Sequence, residues 1–127
     1  MERMRPQSAK AKGRRLQQTV VEALLEAFPH LTEDDVRSTP MGAPGEDVQL
    51  SPAARAVVPF SFECKNCERV NVWDALGQAA ANARGRGTPA LVVKRNRHEP
   101  HVVVPLATFV ALLTTAHKNN LPPAARS

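Results

Sequence analysis

The sequence predicts a single α/β domain, a central mixed β-sheet flanked by helices. Three observations predict it. Apolar residues recur at helical spacing near the N-terminus (Leu16, Val20, Ala23, Leu24, Ala27, Phe28). Apolar and polar residues alternate from Phe60 to Lys65, as in a strand. A short apolar run at Leu91, Val92 and Val93 then follows an alanine-rich helical segment, so strands and helices interleave. At 127 residues the chain builds one core and not two, and 43% hydrophobic content in regular segments argues against disorder. No apolar run approaches the roughly 20 residues that span a bilayer. The basic N-terminus lacks the apolar stretch of a secretory signal, so a cytoplasmic protein is expected.

In order, residues 1–12 read as a basic, mobile arm. Gly13 to Phe28 is a helix closed by Pro29. Thr32 through Asp35 reads as an N-cap followed by acids in a short first turn. Val36 to Met41 is a short strand or strand-like entry, and Gly42 to Gly45 a turn rich in Gly and Pro. Asp47–Ser51 and Phe60–Lys65 are strands, joined by a loop from Pro52 to Pro59. Trp73 to Ala83 is a helix, and Ala90–Lys94 and His101–Val104 are strands around a turn carrying Arg95, Asn96, Arg97 and His98. Leu106 to Ala116 closes the domain as a helix with Phe109, Val110 and Leu113 on its apolar side. The domain thus spans residues 13–116, and residues 117–127 form a frayed Pro/Ala tail.

Strand parity concentrates the chemistry. Successive side chains of a strand point to opposite faces. Phe60, Phe62 and Cys64 then share an apolar face, while Ser61, Glu63 and Lys65 share the other. Upstream, Val48 and Leu50 point inward and Asp47 and Gln49 lie opposite. If the two segments pair as a hairpin, Asp47, Glu63 and Lys65 converge: two acids and an amine, suited to a hard divalent cation and an anionic substrate. Glu46 competes with Asp47, but its parity with Val48 and Leu50 weakens it.

An acid, a variable gap, then acid-any-lysine on adjacent strands resembles the signature of the PD-(D/E)XK nuclease superfamily, here Asp47 followed by Glu63-Cys64-Lys65. The element order helix, strand, strand, strand, helix, strand is similar to that family's restriction-endonuclease-like core over nearly the whole domain. The resemblance implies an Mg²⁺ ion held by Asp47, Glu63 and the carbonyl oxygen of Cys64, with Mn²⁺ able to substitute. It implies Lys65 as the residue that orients the attacking water or stabilises charge on phosphorus.

The first helix departs from that pattern. Gln18, Glu22 and Glu26 lie on its polar face, whereas Gln17 sits with Val20, Val21, Leu24 and Phe28 on the apolar one. A glutamine there either bonds within the core or faces the site and binds a ligand, a water or a phosphate. In archaeal-type Holliday-junction resolvases, which the chain resembles in size and in its Lys12-Gly13 helix entry, a glutamate stands where Gln17 falls. Gln17 therefore joins Asp47, Glu63 and Lys65 as a candidate catalytic residue, with one carboxylate fewer about the metal. Ser38 and Thr39 fall where such resolvases often carry a hydroxyl. Gln78 and Asn82, one helical turn apart, either touch the site or DNA or form a solvated face.

Net charge is +5, and the positive charge is clustered. Arg3, Arg5, Lys10, Lys12, Arg14 and Arg15 crowd the N-terminus. Lys94, Arg95 and Arg97 form a second group, with Arg84 and Arg86 nearby in sequence. Such patches bind phosphates through counterion release, so DNA is the expected partner and Lys10, Lys12, Arg14, Arg15, Lys94, Arg95 and Arg97 the expected contacts. A solubilising tail or an anionic membrane surface would use the same charge. Cys64 and Cys67 make a single C-x-x-C without histidines at matching spacing, so reduced structural cysteines fit better than zinc or a redox pair. With no insertion for reading bases, the core favours recognition by backbone shape. The expectation is a homodimeric, structure-selective DNA endonuclease similar to a Holliday-junction resolvase, acting in the host cytoplasm if phage-encoded. Two alternatives stand beside it: a duplex-cutting or nicking nuclease of the same fold in repair, recombination or packaging, and a non-catalytic nucleic-acid-binding module.

Overall fold

The structure, a computed structural model, describes residues 8–120. The expected arm therefore falls outside the described residues at positions 1–7, with Arg3 and Arg5, and the expected tail does so at positions 121–127. Helix α1 (Ala9–Ala27) begins at Ala9 rather than Gly13. Ser8 caps it, its side-chain oxygen accepting from the Ala11 amide at 3.1 Å. Ala9, Lys10, Ala11 and Lys12 are strong helix formers that carry the first turn. Gly13 is thus an interior helical residue, and the basic residues from Lys10 to Arg15 are displayed on a helix.

After α1, Thr32 to Asp35 forms a turn and not a helix. The expected capping bonds do form: the Thr32 amide donates to Asp35 Oδ2 at 2.8 Å and the Asp34 amide to Thr32 Oγ1 at 3.3 Å. Strand β1 (Val36–Ser38) then pairs antiparallel with β2 (Val48–Leu50). The chain next makes a helix, α2 (Pro52–Val57), where the sequence reading expected a loop. Pro52 is at its first turn, where its missing N–H costs nothing, and Ser51 caps it by accepting from the Ala54 amide at 3.1 Å. The Ser51 hydroxyl also donates to Asp35 Oδ1 at 2.7 Å, which ties α2 to the turn before β1.

Strand β3 (Phe60–Asn66) pairs in parallel with β4 (Thr88–Lys94), and β4 pairs antiparallel with β5 (His101–Val103). Helix α3 (Val72–Ala83) supplies the crossover that a parallel pair requires. The sheet is therefore mixed, as expected, but it is three-stranded, with β1 and β2 forming a separate ribbon. One face of β3 and β4 (Phe62, Cys64, Ala90, Val92) packs in the main core with Leu16 and Val21 of α1, Val36, Val48, Ala54 and Val58. The opposite face meets α3, whose Ala75, Ala79 and Ala83 form a stripe at intervals of four residues and are all buried. These small side chains let the helix lie close to Leu91, which has no exposed surface. Gly77 takes no part in that packing, since a Cβ there would meet nothing within 4 Å.

Helix α4 (Leu106–Asn119) extends to Asn119, past the boundary expected at Ala116. Its predicted apolar side is not buried: Phe109, Val110 and Leu113 are 51%, 50% and 53% exposed. Phe109 and Leu112 border an apolar groove of about 500 Å³ whose floor includes Phe28, Phe60, Ala90 and Val102. No described helix is long and apolar enough to cross a membrane.

Candidate active site at the fork between two strands

Strands β2 and β3 do not form the hairpin ladder the sequence suggested. They meet at a fork: the Asp47 amide donates to Phe62 O at 2.9 Å, while β2 pairs along its length with β1. Asp47 nevertheless reaches β3, because it sits at the joint. Asp47 Oδ2 accepts from the Cys64 amide at 2.7 Å. On the α3 face of β3, Glu63 is only 6% exposed, and Lys65 Nζ lies 3.7 Å from Glu63 Oε1. Asp47 lies within the electrostatic reach of both. The N–H and C=O of one strand residue point to the same side. The Cys64 amide points at Asp47, so the Cys64 carbonyl is directed into the same fork, away from β4.

Asn82 was not among the principal sequence-derived candidates, yet its Nδ2 donates to Glu63 Oε2 at 3.1 Å. The two Glu63 oxygens are thereby separated in role, one held by Asn82 and the other near Lys65. The sequence carries a signal for this. Asn82 is three residues after Ala79 and one before Ala83, at the border of the alanine stripe that faces the sheet. Gln78 is exposed.

Gln17 is buried, as its place on the apolar stripe implied, and its Oε1 accepts from the Ser38 hydroxyl at 2.5 Å. This bond ties α1 to β1. Thr39, the next residue, is buried and does two things: its amide donates to Asp47 O at 2.9 Å and its hydroxyl to Glu46 O at 2.6 Å. The two hydroxyl residues thus brace the chain that delivers Asp47. Glu46, itself buried, points away from the fork into an ion pair with the partly exposed Arg55, with Arg86 Nη1 at 4.0 Å. Its parity had marked it as inward, and the inward space is occupied by a guanidinium and not a site.

Asp47 carries a carboxyl pushed from 3.8 up to about 6. Burial is the main cause, opposed by the Cys64 amide; Glu63 adds to the rise and Lys65 reduces it. Two carboxylates with one partly exposed ammonium are undercompensated, and their donors are all oxygen. With the Cys64 carbonyl, that set fits a hard divalent cation. Among the described residues, no group of three or more His, Cys, Asp or Glu side chains is gathered that could hold a metal ion. Cys64 itself is buried among apolar groups, which raises its thiol far from ionisation, and Cys67 is exposed; both are free.

The raised carboxyl predicts a pH dependence. Between pH about 4 and 6 the folded state binds the Asp47 proton more tightly than the unfolded chain does, so stability falls as pH rises through that window. Asp47→Asn removes this penalty and keeps an acceptor for the Cys64 amide. With Asp47 only partly buried and screened by solvent, the expected gain at pH 7 is on the order of 1 kcal/mol. Urea denaturation of both proteins in EDTA from pH 4 to 8 measures it. A wild type more stable than Asp47→Asn at pH 7 would reject the assignment.

The basic residues divide into two ends of one strand. Lys12 Nζ donates to Asn96 Oδ1 at 3.0 Å, and Asn66 Nδ2 donates to Lys12 O at 3.0 Å. The N-terminal basic group and the β4–β5 turn with Lys94, Arg95 and Arg97 therefore lie side by side at the C-terminal end of β4. Lys10, Arg14, Arg15, Arg95 and Arg97 are exposed. Arg84 and Arg86 precede β4 and stand about 20 Å away at its other end, outside this patch.

No family model, curated protein or solved structure matches this chain. The chemistry of the fork is therefore the basis for a function.

Proposed function

We propose that the protein is a metal-dependent DNA endonuclease of the PD-(D/E)XK type, selective for branched DNA. The observation that supports this reading best is the convergence of Asp47, Glu63 and Lys65 where β2 leaves β3. Asp47, Glu63 and the Cys64 carbonyl would hold Mg²⁺ or Mn²⁺. Such an ion, when bound, lowers the pKa of a water and neutralises charge on a phosphate. Asn82 keeps one Glu63 oxygen engaged and so fixes how the carboxylate faces the fork. Lys65, 33% exposed at its side chain, can reach a phosphate oxygen arriving from solvent while remaining beside Glu63. Gln17 serves by bracing α1 against β1 through Ser38.

The basic helix end and the β4–β5 turn supply affinity for the backbone without reading bases. Symmetric cutting of two strands needs two copies, and a two-fold dimer is the simplest arrangement. Four-way junctions, flaps, linear duplex and single strands incubated with Mg²⁺, and in parallel with EDTA, test the reading. Paired symmetric cuts confined to junctions in Mg²⁺ are expected, from a species with twice the monomer mass by light scattering. Equal cutting of linear duplex would replace junction selectivity with a general duplex nuclease. Binding without cutting under any metal would leave a nucleic-acid-binding module and remove the enzyme.

A further inference from the structure

Between α1 and the C-terminal ends of β3 and β4 lies a crevice of about 90 Å³, lined by Lys12, Arg15, Leu16, Thr19, Asn66, Lys94 and Asn96. We propose that this crevice is a phosphate subsite that seats one backbone phosphate of a DNA strand across the end of β3 from Lys65, an inference that rests on the nuclease reading.

The lining contains three cations and no carboxylate. Its donors exceed its acceptors. Lys12 uses one of three ammonium protons on Asn96 Oδ1, and Lys94 uses one on Arg95 O at 3.2 Å. Asn66 Nδ2 uses one proton on Lys12 O, while the Asn96 carboxamide keeps both of its own for a ligand. Arg15 adds a guanidinium suited to two-pronged binding of a phosphate. Glu68 is the nearby acid, and its Oε2 is engaged by the Asn96 amide at 2.8 Å. Asn96 holds the Lys12 ammonium and Asn66 its main-chain carbonyl, across sequence separations of 84 and 54 residues, so Lys12 is placed at the crevice by tertiary bonds.

The volume suits a single tetrahedral anion. Arg14, Arg95 and Arg97 extend the positive surface outward, as a polyanion and not an isolated ion would use. Asn66 directly follows Lys65 on β3 and faces the other side of the strand. The crevice therefore lies on the α1 face of β3 and Lys65 on the α3 face, at the same end of one strand. A strand crossing the end of β3 would touch both.

Binding of a four-way junction in EDTA, measured against salt concentration, tests the subsite. Arg15→Gln leaves the Lys12–Asn96 bond intact, and Lys12→Ala/Lys94→Ala removes two cations together. The slope of log K against log salt should fall by about 1 in either variant and no further in the double one, since the crevice seats one phosphate and a lost phosphate contact removes about 0.9. Lys118→Gln, an equal charge change on α4, should leave the slope unchanged. In a second arm, inorganic phosphate should shift the Asn66 and Asn96 side-chain amide resonances in the wild type and not in Arg15→Gln. Equal slopes in all variants with unmoved amides would overturn the subsite while leaving cleavage, and the nuclease reading, intact. Amide shifts in a protein that cuts no nucleic acid would keep the anion site and sink the nuclease.

Discussion

Lys65→Ala should lower the cleavage rate by about 10³-fold while leaving junction affinity in EDTA little changed. Removing a single group that stabilises developing charge in a water-poor site typically costs 10²–10³ in rate, about 2.7–4 kcal/mol of barrier. Lys65 is the cation nearest Glu63, at 3.7 Å, and it reduces the crowding of negative charge that raises the Asp47 carboxyl. Its loss leaves Asp47 and Glu63 facing each other with less compensation, so Mg²⁺ affinity should hold or rise. Glu63→Gln should act oppositely, losing both cleavage and Mg²⁺ affinity, because a neutral carboxamide supplies a weaker ligand, while its oxygen still accepts from Asn82. Calorimetric Mg²⁺ titration alongside initial rates separates the two. Undiminished cleavage in Lys65→Ala would remove Lys65 from the mechanism, and equal Mg²⁺ loss in both variants would remove the distinction of roles.

The largest stability effect is expected at Arg55. Its guanidinium bonds Glu46, and its Nη1 also donates to Arg86 O at 2.8 Å and Phe60 O at 3.3 Å. One side chain thereby joins α2, the entry to β2, the start of β3 and the segment after α3. Glu46 is 4% exposed, and its Oε2 has no hydrogen-bond partner among the described residues, so the carboxylate depends on this cation. Arg55→Ala would leave a buried charge with Arg86 alone at 4.0 Å. Breaking a fully buried pair from one side costs about 3–5 kcal/mol; with the Arg55 side chain 23% exposed, the lower end of that range is expected, still a large share of the 5–15 kcal/mol typical of a domain. Adding Glu46→Gln to Arg55→Ala removes the stranded charge and should recover about half the loss. Urea titrations with an unchanged slope measure both. A cost of Arg55→Ala below about 1 kcal/mol would show that Glu46 is not held by this pair.

Glu46 and Asp47 also show where sequence logic sufficed and where it ended. Parity assigned Glu46 inward and Asp47 outward, and both assignments hold. Parity had no means of finding Arg55, which follows Ser51 and Pro52 in the stretch expected to be a loop. The same two residues are a cap and a first-turn proline, and only the packing of Ala54 and Val58 into the core decides between a helix and a loop. The closing helix failed in the opposite sense. Its periodicity gave the helix correctly, but an apolar stripe states only that a face can be buried. The fold leaves Phe109, Val110 and Leu113 about half exposed.

Alternation along β3, the apolar stripe of α1 and the alanine stripe of α3 are local properties, set by the geometry of strands and helices. They determined the α/β class, the side of β3 that carries Glu63 and Lys65, and the burial of Gln17. Contacts between distant segments have no such periodic signature. The fork that brings Asp47 to Cys64, the Asn82 bond to Glu63, the pairing of Gln17 with Ser38 and the joining of Lys12 to Asn96 each depend on where the elements dock. Docking is settled by the shape of the shared core, so it was the tertiary structure that turned residues far apart in the chain into one candidate site and one basic crevice.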